Sequence, residues 1–256
     1  MTTPSRLVGR IALVTGGSNG QGAAHTRRLA QEGAIVYFTD VDTKNGPELE
    51  KELRAENLDV RFHQQDVSSF DAWQKIASVI ESEQGRLDIL VNNAGIADLY
   101  TAEEATEESW QRIIDINQKS IFLSFKALLP LLRKSSAASV INTSSIFGVV
   151  GADGYLAYVG SKGAVTMMTK SLAISYGREG VRVNSIHPGY IATPMLEEEL
   201  AGLGDGAEER ILATIPLGRF SSADEISGSV AFLASDDASY ITGAELLIDG
   251  GHLAGR

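Results

Sequence analysis

The 256-residue sequence contains no cysteine and no long apolar run. Without cysteine the chain forms no disulfide and offers no thiolate nucleophile and no Cys-bearing zinc or iron–sulfur site. The most apolar helical stretch, IFLSFKALLPLL (121–132), is interrupted by Lys126 and Pro130 and is too short to span a bilayer. The N-terminal stretch MTTPSRLVGR lacks the apolar core of a signal peptide. These features predict a cytoplasmic protein with no membrane partner.

Basic residues are few, and they do not cluster. The 22 lysines and arginines face 33 acidic residues, for a formal net charge of -11. Because binding to a phosphate backbone needs a positive surface, we expect no nucleic-acid partner. The four histidines have no HxxxH or HxH spacing, which argues against a metal site; they are His25, His63, His187 and His252. The sequence therefore gives no support to a metal-dependent mechanism.

The hydrophobic content of 43% is enough for a full core, and we expect a single domain over residues 1–256. Runs of β-branched residues alternate with longer stretches of helical period, which predicts βαβ units around a parallel sheet. Strands are expected at 11–15, 35–39, 60–65, 88–92, 139–143, 181–186 and 244–248. The segment 193–216 follows neither period well and contains three glycines. We predict an irregular substrate lid at about 193–218.

The stretch VTGGSNGQGAA (14–24) places four glycines between a predicted strand and a predicted helix. Backbone N–H groups at the start of such a helix can bind a pyrophosphate. Asp40 ends the second predicted strand, where its carboxylate can accept hydrogen bonds from both hydroxyls of an adenosine ribose. Alone, the glycines are also typical of a turn without a ligand, and Asp40 of a turn or helix cap. Together the two features predict a dinucleotide site.

The spacing of TGGSNGQG (15–22) resembles the TGxxxGxG pattern of the short-chain dehydrogenase/reductase family. Further stretches follow in the family's order: NNAG at 92–95, Asn117, Ser145 with YVGSK at 158–162, and HPGYIAT at 187–193. The resemblance runs from Leu7 to the C-terminus. It implies a single doubly wound, Rossmann-type α/β domain, in which a seven-stranded parallel sheet has helices on both faces.

Tyr158 and Lys162 lie four residues apart in a helical stretch, so their side chains share a face. A tyrosine with a pKa of about 10 needs a shift of roughly 3 units to act as a base near neutrality. A nearby ammonium group and a positive nicotinamide ring can supply it. The resemblance implies that Tyr158 exchanges the hydroxyl proton, Lys162 lowers its pKa and binds the nicotinamide ribose, Ser145 contacts the substrate oxygen, and Asn117 holds a relay water. Asn117 is also typical of a residue that kinks a helix.

Neighbouring residues offer alternatives for two of these roles. A lone Tyr–Lys pair is most often an exposed helix face. Tyr155 lies seven residues before Lys162 on much the same predicted face, and only the family's spacing favours Tyr158. Ser145 stands thirteen residues before Tyr158, whereas Ser144 would point to the opposite side of a continuing strand. We therefore expect Ser144 to pack inward.

The resemblance also implies the residues that contact the cofactor. They are Gly16, Ser18, Asn19, Gly20, Gln21, Gly22, Asp40, Asp66, Val67, Asn93, Gly95, Tyr158, Lys162, Ile191 and Thr193. Gln21 stands where the family usually has isoleucine. The expected substrate-binding residues are Ser145, Phe147, Tyr155, Tyr158, Tyr190, Met195 and Leu196, with Ile96 and Val149 also facing the nicotinamide. We expect no arginine in position to bind a substrate carboxylate.

These expectations predict an NAD-dependent oxidoreductase that interconverts a neutral, bulky or cyclic secondary alcohol and its ketone. Asp40 would repel the 2′-phosphate of NADP. The lid carries six acidic residues and one basic residue, Arg210, which disfavours anionic substrates unless the acidic side chains only face solvent. The main alternative is an NADPH-dependent 3-oxoacyl-thioester reductase. A catalytically silent, nucleotide-sensing regulator is another, although it need not retain all four catalytic residues.

The predicted partners are a small-molecule substrate and further copies of the chain. Helical stretches 106–133 and 158–177 carry apolar residues on more than one face, which favours burial against another subunit as well as the sheet. These residues include Phe122, Phe125, Val165, Met168 and Leu172. Such a pattern is also typical of helices that are simply buried on a large sheet. The resemblance implies a homotetramer.

Overall fold

A computed structural model describes residues 5–255. Its centre is a seven-stranded parallel sheet with strand order β3-β2-β1-β4-β5-β6-β7. The strands are β1 (Ile11–Thr15), β2 (Ile35–Asp40), β3 (Val60–Gln64), β4 (Ile89–Asn92), β5 (Ser139–Thr143), β6 (Arg182–Pro188) and β7 (Glu245–Ile248). All seven predicted strands are present, with small differences at their ends.

Helices connect the strands and cover both faces of the sheet. They are α1 (Gly20–Gln31), α2 (Asn45–Ala55), α3 (Phe70–Gln84), α4 (Glu107–Ile113), α5 (Ser120–Leu132), α6 (Leu156–Tyr176), α7 (Pro194–Leu203), α8 (Ala207–Leu212) and α9 (Ala223–Ala234). A π-helical segment, Ile114–Lys119, joins α4 to α5. The predicted doubly wound α/β fold is confirmed.

The alternation of side chains along β1 shows how the two cores form. Ala12 and Val14 pack into the cluster that contains residues of α1 and α9. Ile11 and Leu13 point to the other face and join residues of α3 and α5. All five residues of β1 are buried, as expected for a parallel strand covered on both sides.

The strand order reverses direction between β1 and β4. The chain builds β1, β2 and β3 outward on one side, then crosses to place β4 on the other side of β1. In open α/β sheets, ligands bind at the carboxyl ends of the strands beside such a reversal. The loops after β1, β4, β5 and β6 therefore meet where a ligand site is expected.

The segment predicted to be irregular contains the helices α7 and α8. Pro194 occupies the first turn of α7, where its fixed φ is compatible with a helix and its missing N–H is not needed. Gly204 and Gly206 adopt positive φ values of 76° and 71° between the two helices. The glycines therefore separate two short helices, and the prediction of an irregular segment is wrong.

Candidate active site

A cavity of about 420 Å³ lies at the carboxyl ends of the central strands. It extends from the glycine-rich loop after β1 to α7, and we call it the inner cavity. Most residues expected to contact a cofactor line it: Gly16, Asn19, Gly20, Gln21, Gly22, Asp40, Asp66, Val67, Asn93, Gly95, Tyr158, Lys162, Ile191 and Thr193. The fold thus brings together residues that lie far apart in the sequence.

The glycine-rich loop requires glycine for both backbone conformation and space. Gly16 and Gly20 have positive φ values of 60° and 51°, which favour glycine. A Cβ atom on Gly22 would lie 1.9 Å from the carbonyl oxygen of Gly16. Helix α1 begins at Gly20, and the side chain of Asn19 does not cap it. Its first turn therefore offers backbone N–H groups to a pyrophosphate.

Asp40 ends β2 and stands at one end of the inner cavity. Its Oδ2 accepts a hydrogen bond from the Ser18 amide and its Oδ1 accepts one from the Asp42 amide, both at 3.1 Å. Asp42 is partly exposed, and hydrogen bonds from Asn45, Lys44 and Asn19 lower its pKa to about 2. Asp42 does not line the inner cavity, so the Asp40 carboxylate alone stands where an adenosine ribose is expected.

Ser18 is the one expected cofactor residue that does not line the inner cavity. Its side chain is buried, and its Oγ has no hydrogen-bond partner within residues 5–255. The residue acts through its backbone amide, which holds Asp40. Any contribution of Ser18 to cofactor binding in this arrangement is indirect.

The loop after β4 closes the floor of the inner cavity. The Asn93 side chain donates to the carbonyl oxygens of Thr15 and Gly16, at 3.0 and 3.2 Å, and so ties this loop to the glycine-rich loop. A Cβ atom on Gly95 would lie 3.3 Å from Lys162 Nζ and 3.4 Å from Asn117 Oδ1. Together with the uncapped start of α1 and the carboxylate of Asp40, this floor fits an extended nicotinamide dinucleotide.

Tyr158 and Lys162 occupy successive turns near the start of α6, as predicted. Lys162 is buried and donates from Nζ to the carbonyl oxygen of Thr143 at 2.8 Å. Its Nζ lies 5.6 Å from the centre of the Tyr158 ring. Burial lowers the pKa of Lys162 to about 8 and raises that of Tyr158 to about 12, although the Ser145 side chain opposes the rise. The tyrosine therefore keeps its proton at neutral pH until further positive charge reaches it.

Ser145 and Ser144 point to different surroundings, as the strand alternation predicts. Ser145 lines the inner cavity, and its Oγ accepts from the Phe147 amide at 3.1 Å. The Ser144 hydroxyl donates to the Lys162 carbonyl oxygen at 2.9 Å and lies 3.0 Å from Thr166 Oγ1. The expectation that Ser144 packs inward is confirmed.

Asn117 lies in the π-helical segment and does not line the inner cavity. Its Oδ1 accepts from the Ile96 amide at 2.9 Å, and its Nδ2 donates to the Ile96 carbonyl at 2.8 Å and to Ser161 Oγ at 3.1 Å. The Ser161 hydroxyl in turn donates to the Tyr158 carbonyl at 2.8 Å. Asn117 therefore connects the loop after β4 to the first turn of α6. The unwound turn that positions it is of a kind common at functional sites.

His187 supports Ser145 in a way that the sequence did not indicate. Its Nδ1 lies 2.9 Å from the Ser145 carbonyl oxygen, and its Nε2 lies 2.9 Å from Ser185 Oγ. Burial lowers the pKa of the His187 imidazole. A neutral ring that carries its proton on Nδ1 donates to Ser145 and accepts from Ser185. The contact joins residues 42 positions apart, so spacing along the sequence gives no signal of it.

Tyr155 precedes α6, which begins at Leu156, and the prediction that it shares the helix face of Lys162 is wrong. Its backbone angles, φ -121° and ψ 35°, are not helical. The hydroxyl donates to Glu199 Oε1 of α7 at 2.5 Å. The ring centre lies 6.4 Å from that of Tyr158 and 5.2 Å from that of Phe147. Tyr155 is thus part of the cavity wall, and its hydroxyl already has an acidic partner.

The end of the inner cavity near Tyr158 is mostly apolar and aromatic. Six of the expected residues line it: Ile96, Phe147, Tyr155, Tyr190, Met195 and Leu196. Val149 does not line it and is 48% exposed, because it follows a short 3₁₀ turn that carries it toward solvent. This end of the cavity can enclose an apolar molecule and offers the hydroxyls of Ser145 and Tyr158 as polar contacts.

Two charged side chains also line this end of the cavity. Arg112, on α4, contradicts the expectation that no arginine is in position to bind a substrate carboxylate. Glu199 is the one acidic residue of 193–218 that lines the inner cavity. The other five are exposed: Glu197, Glu198, Asp205, Glu208 and Glu209. Most of the negative charge of this segment therefore faces solvent.

Over 5–255, no helix is long and apolar enough to cross a membrane. No group of three or more histidine and acidic side chains in this range is arranged to hold a metal ion.

Comparison with known proteins identifies the family. Residues 16–252 match a family model described as Enoyl-(Acyl carrier protein) reductase. The chain is 41% identical to cyclopentanol dehydrogenase from a Comamonas species, over 97% of this chain and 99% of that protein. It is also 41% identical to a 3-alpha-(or 20-beta)-hydroxysteroid dehydrogenase from Mycobacterium tuberculosis, over 98% of this chain and 92% of that protein.

A solved structure shows the same fold. The crystal structure of gox2181 matches with a TM-score of 0.93 and 32% identity, and the match covers 98% of each chain. The family match, the relatives and the fold agree with one another. The chain belongs to the short-chain dehydrogenase/reductase family of oxidoreductases, which use a nicotinamide dinucleotide.

Proposed function

We propose that this protein is an NAD-dependent dehydrogenase that interconverts a neutral, bulky or cyclic secondary alcohol and its ketone. One observation carries the proposal: a single cavity has the Asp40 carboxylate at one end and, at the other, the Tyr158 and Ser145 hydroxyls within aromatic walls. The end at Asp40 selects the cofactor, and the end at Tyr158 and Ser145 positions a carbinol or carbonyl carbon. The activity is a hydride transfer between the two.

Each proposed catalytic residue has a distinct task. Tyr158 takes the proton from the substrate hydroxyl, or returns it to the carbonyl oxygen. Ser145 hydrogen-bonds the same oxygen and fixes its position. Lys162, anchored by the Thr143 carbonyl, binds the nicotinamide ribose and stabilises the tyrosinate. Asn117 holds the first turn of α6 and, in the role implied by the family, a relay water. When bound, NAD supplies the hydride acceptor.

The preference for NAD over NADP is proposed from charge. Asp40 lines the adenosine end of the inner cavity, and a 2′-phosphate there would meet its carboxylate. Lys44 is close along the chain but does not line the inner cavity. Like charges at close range disfavour binding even after screening by solvent. This proposal therefore predicts weaker use of NADP.

The substrate class is proposed from the cavity walls and from the relatives. Aromatic and aliphatic side chains line the end near Tyr158, and they exclude water from the reacting centre. The names of two relatives refer to cyclopentanol and to hydroxysteroids, which are cyclic secondary alcohols. Glu199 adds a negative charge close to this end. Because Arg112 offsets the charge of Glu199 there, the preference for a neutral ring rests on the apolar walls.

An NADPH-dependent 3-oxoacyl-thioester reductase is the second candidate, because the matching family model is described as a reductase of carrier-bound acyl chains. The test is a steady-state comparison. With NAD, cyclopentanol, cyclohexanol and a hydroxysteroid should be oxidised with higher kcat/KM than 3-hydroxybutyrate. With NADH, cyclic ketones should be reduced faster than an acetoacetyl thioester. Faster reduction of the thioester, with NADPH preferred, would favour the second candidate.

We also propose that α7 and α8 act as a lid within a single catalytic domain, and that four chains assemble into a homotetramer. Apolar side chains are exposed on the outer faces of α5 and α6, with Phe122 at 53%, Met167 at 61% and Ile174 at 84%. Apolar residues grouped on helices at a surface favour association. Analytical ultracentrifugation should give four times the 27.3 kDa chain mass. A mass of one chain at micromolar concentration would contradict the assembly.

A further inference from the structure

A second cavity of about 400 Å³ adjoins the inner cavity beside α7, and we call it the outer cavity. The two cavities share six wall residues: Ile96, Ala97, Arg112, Tyr155, Met195 and Glu199. The hydrogen bond from the Tyr155 hydroxyl to Glu199 Oε1 therefore stands at their junction. A substrate that reacts at Tyr158 and extends past Tyr155 would enter the outer cavity beside Glu199.

The Glu199 carboxylate is only partly satisfied. Its Oε1 accepts from Tyr155, whereas its Oε2 has no hydrogen-bond or ion-pair partner in the part of the chain that the structure describes. Burial raises the pKa of Glu199, and the Tyr155 hydrogen bond opposes the rise. A partly desolvated carboxylate gains more from a hydrogen-bond donor than a fully solvated one. Glu199 is therefore an acceptor held in place at the boundary between the two cavities.

The charged groups around Glu199 are mainly acidic. Asp98, in the loop after β4, lines the outer cavity, and burial raises its pKa. Glu198 is exposed on the same wall, and Arg112 on α4 is the opposing cation. Arg112 makes no ion pair with any residue from 5 to 255. Solvent screens the exposed Glu198, so the charges that act on a bound substrate are Asp98, Glu199 and Arg112, and the two carboxylates favour a neutral donor over an anion.

Tyrosine hydroxyls complete the surroundings of Glu199. The Tyr155 hydroxyl donates a hydrogen bond to Glu199. The negative charge of Glu199 contributes to raising the pKa of Tyr158. The Tyr155 and Tyr158 ring centres are 6.4 Å apart. Tyr158 and Glu199 line the same cavity, so a ring whose reacting oxygen lies at Tyr158 can direct a second polar group toward Glu199.

We propose that Glu199 is a specificity-determining residue, which accepts a hydrogen bond from a second hydroxyl on the substrate and disfavours a carboxylate at that position. The preferred substrates are then cyclic diols or hydroxyketones with the second oxygen remote from the reacting carbon. The inference rests on the proposed function, because it requires a cyclic alcohol at Tyr158.

The test uses four trans-cyclohexanols with hydrogen, methyl, hydroxyl or carboxylate at position 4. Values of kcat/KM with NAD are expressed relative to cyclohexanol, and that of the diol is halved for its two equivalent hydroxyls. We expect the hydroxyl compound to be the best substrate and the carboxylate compound the worst, mainly through KM. Because each kcat/KM is divided by that of cyclohexanol for the same variant, a general loss of activity in a variant does not change these ratios.

Two variants separate the charge from the hydrogen bond. Glu199→Gln removes the charge and should raise the relative kcat/KM of the carboxylate compound about tenfold, which is the effect of one partly screened charge. Glu199→Met also removes the acceptor and should abolish the preference for the diol. Glu198→Gln removes the same charge from the exposed neighbouring side chain, and its ratios should stay within about twofold of wild type.

The outcomes are distinguishable. If the ratios are the same in wild type and both Glu199 variants, the inference is wrong while the proposed function stands. If the carboxylate compound is the best substrate and Arg112→Met abolishes that preference, the polar contact belongs to Arg112. If no alcohol is oxidised with NAD or NADP, the proposed function fails and the inference fails with it. Should the Glu199 variants not fold, Tyr155→Phe frees the carboxylate and should weaken the preference for the diol.

Discussion

Replacing Asp40 with asparagine removes a charge from the adenosine end of the site with little change in shape. In the wild type, the two carboxylate oxygens each accept one backbone hydrogen bond, from Ser18 and from Asp42, at 3.1 Å. An asparagine oxygen can keep the first contact. The asparagine NH2 group cannot accept the second hydrogen bond, so the ratio of NAD to NADP use, rather than either kcat/KM alone, reports the charge of Asp40.

The magnitude follows from the expected distance. Two unit charges 4 Å apart interact by about 4 kcal/mol at an effective dielectric constant of 20. Half of that, about 2 kcal/mol, allows for solvent around the half-buried Asp40 and an exposed phosphate. Since about 1.4 kcal/mol is a factor of ten, the expected discrimination against NADP is roughly 30-fold. Asp40→Asn should remove most of this factor.

The assay measures kcat/KM for NAD and for NADP with one cyclic alcohol at constant pH and ionic strength. We expect the NAD to NADP ratio to fall about 30-fold in Asp40→Asn. Asp42→Asn is the matched control, because this carboxylate does not line the inner cavity and is bound by the Asn19 side chain. Its effect should be several-fold smaller. An unchanged ratio in Asp40→Asn, or equal use of both cofactors by the wild type, would refute the reasoning.

Three further substitutions test the site and its support. Ser145→Ala should lower kcat/KM about 10²-fold, because it removes a hydrogen bond to the reacting oxygen. Ser144→Ala should leave kcat/KM nearly unchanged and lower the free energy of unfolding by about 1 kcal/mol, measured in urea, because its buried hydrogen bonds are structural. Burial lowers the pKa of His25 to about 3, so as pH falls below about 6.5 the unfolded chain takes up a proton that the folded chain does not. This difference in proton uptake should lower the free energy of unfolding by about 2 kcal/mol between pH 7 and pH 5. His25→Leu should remove that loss of stability. An equal loss in the variant would exclude His25 as the cause.

Much of the sheet and of the cofactor loop could be predicted because local rules determine them. Strand alternation predicts that Ser144 packs inward, and its hydroxyl bonds the Lys162 carbonyl oxygen; Ser145 has no such contact, although both residues line the cavity. The glycines of the loop follow from a backbone with positive φ and from a close approach between Gly16 and Gly22. Such constraints act over a few residues, and a sequence pattern records them.

The remaining features depend on contacts between distant segments. Tyr155 meets Glu199 only because α7 and the segment before α6 form walls of the same cavity, and the two residues are 44 positions apart. Arg112 reaches the cavity through the packing of α4 against the loop after β4. Neither helix period nor composition determines which of six acidic side chains turns inward. The lid was predicted as irregular because its glycines lie at and near the helix ends.

The account depends most directly on the Tyr158 hydroxyl as the group that moves the proton. The decisive measurement compares kcat for a cyclic alcohol in Tyr158→Phe and Tyr155→Phe, with NADH binding followed by fluorescence titration. Tyr158→Phe should lower kcat by about 10² or more while NADH still binds, and Tyr155→Phe should have a much smaller effect on kcat. The reverse order of activity loss, with NADH binding intact in both variants, would contradict the assignment.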